Sequence, residues 1–126
     1  MSESKPKKIL IAEDEKAYSR ALVLKLKNAG YEAESVANGE EVISTLKKTR
    51  YDLLLCDIIM PKMNGFQVLE EIRKQGMKVP VFVLSNLSQA DDEKKALALG
   101  ATGFLSKSNS PIAEVISKIQ QFLTKK

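Results

Sequence analysis

Three of the short uninterrupted apolar runs in this chain read as strands: Ile9 to Ala12, Leu53 to Cys56 and Val81 to Leu84. None alternates with polar residues, so none reads as a strand with one face in water. Strands apolar on both sides are buried on both faces, which is the condition of a parallel sheet covered by helices.

The segments between these runs carry helical spacing. Tyr18, Leu22, Leu26 and Ala29 form one stripe from Glu15 to Ala29, and Gly30 stands where a C-cap glycine belongs. Val42, Ile43 and Leu46 mark a second helix over 40–49, preceded by Asn38-Gly39 as a turn. Asn64 can cap a third, with Phe66, Leu69 and Ile72 inward, running to about Gln75. Ser88 can cap a fourth, reaching Leu99 before Gly100 stops it. Ser110-Pro111 opens a fifth, whose Ile112, Val115, Ile116, Ile119, Phe122 and Leu123 make the clearest amphipathic pattern in the chain. Two more strands read at Glu32 to Val36, alternating and therefore near an edge, and at Gly103 to Ser106. The three buried strands extend over Lys8 to Ala12, Asp52 to Asp57 and Val79 to Leu84.

Five strands alternating with five helices predict an α/β fold, a doubly wound five-stranded parallel sheet with helices on both faces. The 126 residues are one domain's worth. Residues 1–7 read as a polar N-terminal tail and 8–126 as the domain.

Absences narrow the function. The chain has no histidine, which removes Ser-His-Asp and Cys-His catalysis, His-ligated metal, and any role as a phosphohistidine donor. The single cysteine, Cys56, allows no internal disulfide and suits a reducing compartment; inside an apolar strand it reads as core. No apolar run approaches a membrane span, and the charged start carries no signal-peptide pattern, so a cytoplasmic protein is expected. The net charge of +4 hints at nucleic acid, but no basic run is interleaved with aromatics, so direct nucleic-acid binding is not expected.

Ligands of such sheets bind at the carboxyl ends of the strands. Glu13 and Asp14 follow the first strand, Asp57 the third, Ser85 and Asn86 the fourth, Lys107 the fifth. Alone, each has an ordinary explanation: acids at a helix start, a surface lysine, a strand-end serine. Together they place three carboxylates, a hydroxyl and an ammonium in one small site. Carboxylates without histidine or thiolate suit Mg²⁺ or Mn²⁺. A cation, a lysine and a hydroxyl together form a clamp for a phosphoryl group, and an ionised aspartate needs no general base to act as nucleophile.

The chain resembles the receiver domain of two-component response regulators. The resemblance rests on Ile9-Leu-Ile-Ala-Glu-Asp14, on Asp52-Leu-Leu-Leu-Cys-Asp57 followed by Ile58-Ile-Met-Pro-Lys-Met-Asn-Gly65, on Val81-Phe-Val-Leu-Ser85 and on Phe104-Leu-Ser-Lys107, in order and correctly spaced from Lys8 to Phe122. It implies a (βα)5 flavodoxin-like fold. It implies that Asp57 accepts a phosphoryl group, that Asp14, Asp57 and the backbone carbonyl of Ile59 bind Mg²⁺ directly, and that Glu13 binds it through water. Ser85 and Lys107 would contact the phosphoryl group. Phe104 would be the aromatic switch residue, although simple core packing explains it equally. The implied partners are a sensor histidine kinase or histidine phosphotransfer protein, and a downstream target or homodimer through the fourth helix, fifth strand and fifth helix. Two departures stand out. Ser108 replaces the proline that usually follows the lysine, so a trans peptide is expected there. Ile59 and Leu87 are apolar where the family flanks the hydrolytic water, which implies a long-lived phosphoryl group.

The reading is a stand-alone response regulator, not an enzyme beyond its own phosphorylation and dephosphorylation. Its alternatives are a receiver cut from a longer regulator, or a Mg²⁺-dependent aspartyl-phosphate phosphatase. The phosphatase would want an aspartate at the place of Ile59. A flavin module would need a loop after the first strand that does not repel phosphate, and Glu13-Asp-Glu15 does repel it. A phosphorylation-independent scaffold would lack one of the acceptor, metal or lysine residues, and none is lacking.

Overall fold

The structure, a computed structural model, describes residues 6–86, 90–107 and 111–124. Its elements alternate: β1 (Lys8–Ala12), α1 (Lys16–Asn28), β2 (Glu32–Val36), α2 (Gly39–Lys48), β3 (Leu53–Asp57), α3 (Gly65–Lys74), β4 (Val81–Ser85), α4 (Ala90–Ala98), β5 (Gly103–Ser106) and α5 (Ile112–Thr124). The five strands pair in the order β2-β1-β3-β4-β5, every pair parallel. This is the doubly wound parallel sheet that the strand pattern predicts, in the flavodoxin-like order that the resemblance implies.

The uninterrupted apolar runs are explained by two cores, one on each face of the sheet. Ile9, Ile11, Leu53, Leu55, Phe82 and Leu84 pack with Leu22 and Leu26 of α1 and with Val115, Ile116 and Ile119 of α5. The alternate residues, Leu10, Ala12, Leu54, Cys56, Val81 and Val83, pack with α2, α3 and α4 through Val42, Val68, Leu69, Ile72 and Ala96. A strand flanked on both sides by helices has no face to leave polar. Among the described residues no helix is long and apolar enough to cross a membrane.

Boundaries differ from the sequence expectation where backbone chemistry decides them. Asn38 and Gly39 are not a free turn. Asn38 caps α2, its side chain accepting from the Glu41 N–H at 3.0 Å, while the Glu41 carboxylate accepts from the Ala37 N–H at 3.0 Å. Asn64 caps α3 as expected, and Gln67 closes a reciprocal capping box. β4 starts at Val81 rather than Val79, because Pro80 has no N–H for the ladder; its carbonyl accepts from Leu54 N–H at 2.9 Å. Ala29 leaves the predicted stripe and is exposed, since α1 ends at Asn28. The expected caps Ser88 and Ser110, the Lys107–Ser108 peptide and Leu87 lie outside the described residues.

The edge of the sheet opposite the strand carboxyl ends is held by Arg73. Its guanidinium donates to the carbonyls of Met77 at 2.9 Å, Val79 at 3.2 Å and Gly100 at 2.8 Å. It thereby ties the turn after α3 to the turn after α4. Charge-assisted bonds of this kind contribute about 1.5–3 kcal/mol each when fully buried. Because water can replace them at this half-buried site, Arg73→Met should cost about 2 kcal/mol in all. Chemical denaturation checks it, and metal binding at the far edge should be unchanged. A loss below about 0.5 kcal/mol, the range of ordinary surface changes, would show that the staple is decorative.

Candidate functional site

The parallel register carries the ends of β1, β3, β4 and β5 to one edge. Glu13 is the first residue past β1, and its N–H donates to the Val36 carbonyl of β2 at 3.0 Å. Asp57 ends β3 and pairs with Leu84, one residue before Ser85. Lys107 follows β5, and its N–H donates to the Ser85 carbonyl at 2.7 Å. Backbone bonds therefore fix the roots of Glu13 and Lys107, and sheet pairing fixes that of Asp57.

One ammonium organises the side chains. Lys107 Nζ lies 2.7 Å from Glu13 Oε1, 3.1 Å from Asp57 Oδ2 and 3.3 Å from Glu15 Oε1. It also stands 4.7 Å from the centre of the Tyr18 ring, a cation–π contact. Glu13 and Asp57 are buried, Asp14 exposed. A ligand oxygen from each of Glu13, Asp14 and Asp57 falls within 4.8 Å of the others. Only Asp14 opens to water, so the cluster has a buried floor and a wet side.

Burial pushes the carboxyls of Glu13 and Asp57 above the usual carboxylate range, and Lys107 pulls both part of the way back. For Lys107, burial works against the charge, but its contacts with Glu13 and Asp57 outweigh burial and hold it firmly protonated. Three carboxylates around one ammonium leave an excess of negative charge. Hard oxygen donors with an unmet negative charge fit a divalent cation such as Mg²⁺ or Mn²⁺. The donor set excludes nothing such an ion requires.

The remaining candidates take distinct places. Ser85 is fully buried at the last position of β4. Ile59 is 58% exposed at the rim, and its N–H points to Asp57 Oδ1 at 3.4 Å. Phe104 is half-buried on β5, paired with Val83, and packs against the core on the α2–α4 face. Cys56 is fully buried, and burial raises its thiol beyond reactive range, in agreement with core packing. Gly65 N–H donates to the Ile58 carbonyl at 2.7 Å and brings α3 against the end of β3.

Two residues at the lysine escape sequence reasoning. Glu15 reads as a helix-start acid, and Tyr18 as part of the apolar stripe of α1. The one available signal was the third consecutive acid in Glu13-Asp-Glu15, which a single helix N-terminus does not need.

Comparison with known proteins agrees with this fold. Residues 9–120 match the family model described as the response regulator receiver domain. The chain is 37% identical over 116 residues to a probable transcriptional regulator, ycf27, of Porphyridium aerugineum, covering 92% of this chain and 48% of that protein. It is 30% identical to the alkaline phosphatase synthesis transcriptional regulatory protein PhoP of Bacillus subtilis, covering 93% of this chain and 48% of that protein. It therefore spans about half the length of these curated relatives. Among solved structures, the chemotaxis protein CheY4 of Vibrio cholerae superposes with a TM-score of 0.84 at 28% identity, over 92% of this chain and 98% of that one.

Proposed function

Because the chain belongs to the response regulator receiver domain family, we propose that it is a phosphorylation-controlled switch whose acceptor is Asp57. The observation that carries the reading is the Lys107 ammonium held between buried Asp57 and Glu13, with exposed Asp14 beside them. A buried carboxylate whose burial is partly offset by a lysine, with exposed Asp14 beside it, is the nucleophile for an incoming phosphoryl group. An Asp57 oxygen forms the new bond to phosphorus. The bond from phosphorus to the donor's nitrogen or acyl oxygen breaks, and that atom leaves with the electron pair. Lys107 then meets the charge brought by the phosphoryl oxygens, and Ser85 would donate to one of them.

Asp14, Asp57 and the Ile59 carbonyl would hold Mg²⁺ directly, with Glu13 through water. When bound, the ion neutralises charge on the transferring group. The donor is a histidine kinase or phosphotransfer protein, since a chain without histidine must find its phosphohistidine in trans. Its output is a protein contact or a homodimer through α4, β5 and α5, next to Phe104, rather than direct nucleic-acid binding. The setting is cytoplasmic. Turnover as a phosphatase is disfavoured, because exposed, apolar Ile59 cannot serve as the acid/base. A second reading follows from length. The curated relatives are about twice as long, which favours a receiver unit working with a separate output domain over a stand-alone regulator.

Incubation with Mg²⁺ and a small acyl phosphate, followed by intact mass, tests the acceptor. The parent should gain one phosphate, and Asp57→Asn should gain none. A phosphate retained in Asp57→Asn, or absent from the parent with every donor tried, would sink the assignment.

A further inference from the structure

Lys107 shares carboxylates with the cluster that would hold a divalent cation. Its ammonium contacts Glu13 and Asp57, two of the three carboxylates whose oxygens converge. A cation bound among them repels the ammonium, and a buried ammonium cannot be left without an anion. Among the described residues three carboxylates lie within ion-pair distance of Nζ, and the third is Glu15, at 3.3 Å. Glu15 is not part of the converging cluster.

The local structure shows that Glu15 is committed to this contact. It occupies the N-cap position of α1, where Ser, Thr, Asp or Asn would cap the helix, yet its side chain makes no capping bond. It reaches across to Lys107 instead. Its backbone is pinned, the N–H donating to Glu13 Oε2 at 3.0 Å and the carbonyl accepting from Ser19 N–H at 2.9 Å. Its side chain is 64% exposed and free to follow the ammonium outward. The Tyr18 ring stands beside the ammonium, its centre 4.7 Å from Nζ. A local rule broken at a helix cap marks a position held for another purpose.

We propose that Glu15 is the receiving carboxylate for Lys107: as a divalent cation binds the carboxylate cluster, the ammonium moves its contact onto Glu15. Glu15 is then a positioning residue that sets how readily the site accepts metal. The inference rests on the metal reading above and adds a residue that the cation itself does not touch.

Mg²⁺ affinity, measured by calorimetry without any phosphodonor, separates this hand-off from a plain charge effect. Four proteins are compared: the parent, Glu15→Gln, Lys107→Met and the double variant. With Lys107 present, Glu15→Gln should weaken Mg²⁺ binding about tenfold, or ~1.4 kcal/mol. With Lys107 absent there is no ammonium to receive, and the same change should weaken it less than about twofold, since an exposed charge is well screened. Glu15→Asp, which keeps the charge on a shorter arm, should fall between parent and Glu15→Gln. Equal weakening in both backgrounds, or none in the parent background, overturns the hand-off. Because Lys107→Met strands two buried carboxylates and loses stability, ¹⁵N spectroscopy of the Lys107 ammonium in the parent and Glu15→Gln gives a second decision. With saturating Mg²⁺ its signal should persist in the parent and be lost to solvent exchange in Glu15→Gln; identical signals overturn the proposal. A parent that takes up no Mg²⁺ overturns the metal reading itself, and the hand-off with it.

Discussion

Lys107→Met should leave a protein that is stable only in acid or with a divalent cation present. The side chain stays long and unbranched but loses its charge. Glu13 and Asp57 then share a buried pocket with no cation between them. Removing one partner of a buried ion pair costs about 3–5 kcal/mol, because the remaining charge is uncompensated. Here two carboxylates are stranded, so the upper end is expected at pH 7. In the parent, burial already raises both carboxyl pKa values above those of the unfolded chain. A raised carboxyl binds its proton more tightly when folded, so stability is greatest at low pH and falls as pH rises from the ordinary carboxylate value, about 4, through the folded value. Without Lys107 both folded values rise further, the fall deepens, and it extends to higher pH. Lys107 itself acts in the opposite sense. Its pKa is raised by folding, so its contribution is complete below the unfolded lysine value and is lost only in strong alkali. Urea denaturation from pH 4 to pH 8 should therefore show the variant near the parent at the acid end and far below it at the alkaline end. Millimolar Mg²⁺ should restore much of the loss. A deficit independent of pH and of Mg²⁺ would mean that methionine merely packs badly.

The same lysine shows what the sequence could and could not reveal. Glu13, Asp14, Asp57, Ser85 and Lys107 were legible because a parallel sheet delivers every strand end to one edge, and strand ends are visible as the points where apolar runs stop. Finding them required topology and no side-chain geometry. Glu15 and Tyr18 were not legible as site residues, because their roles depend on where α1 leaves β1. That exit is fixed by backbone bonds from Glu13 N–H to Val36 and from Glu15 N–H to the Glu13 carboxylate. Neither bond has a sequence signature. The periodic pattern of α1 identified the core residues Leu22 and Leu26 but assigned Ala29 to the same face, since periodicity does not say which turn is the last.

Charge shows a related effect. The cations look scattered along the chain, yet Lys25 and Lys27, Lys47 and Lys48, and Arg73 and Lys74 all occupy last helical turns. Glu40 and Glu41, the acids Asp91, Asp92 and Glu93, and Glu114 occupy first turns. Each placement complements a helix dipole. Because all helices in this fold run in the same sense relative to the sheet, the sum is a basic edge at the strand starts and an acidic edge at the strand ends. The acidic edge is the one that holds Asp57. A modest net charge thus conceals a field that attracts cations to the site and disfavours free anions, the direction that the proposed metal binding calls for.

The second large effect is expected at Gly65, where neither charge nor turn conformation is at issue. Gly65 has no positive φ, so its backbone would suit any residue. What it lacks is room. A Cβ there would lie 2.6 Å from the Asp57 carbonyl oxygen and 2.8 Å from the Ile58 Cα. Both are backbone atoms, and no side chain can rotate away to relieve the contact. Either the first turn of α3 must lift off the sheet or the end of β3 must shift, and the bond from Gly65 N–H to the Ile58 carbonyl at 2.7 Å resists both. Overpacking a rigid site costs about 1–3 kcal/mol. With backbone on both sides Gly65→Ala should sit at the top of that range and should also displace Asp57 and Ile59, weakening Mg²⁺ binding by about tenfold or more, the equivalent of ~1.4 kcal/mol. Gly76→Ala is the control. Gly76 has φ +75° with nothing within 4 Å of its Cβ position, so it meets conformational strain alone. That strain is about 1–2 kcal/mol, partly offset by a stiffer unfolded chain, and it lies on the opposite edge from the site. Gly76→Ala should lose about 1 kcal/mol or less on that basis and keep its metal affinity. Denaturation and metal titration of the two variants side by side decide the matter. If both lose stability equally and both bind metal as the parent does, the close approach of α3 to β3 is not what holds Asp57 in place.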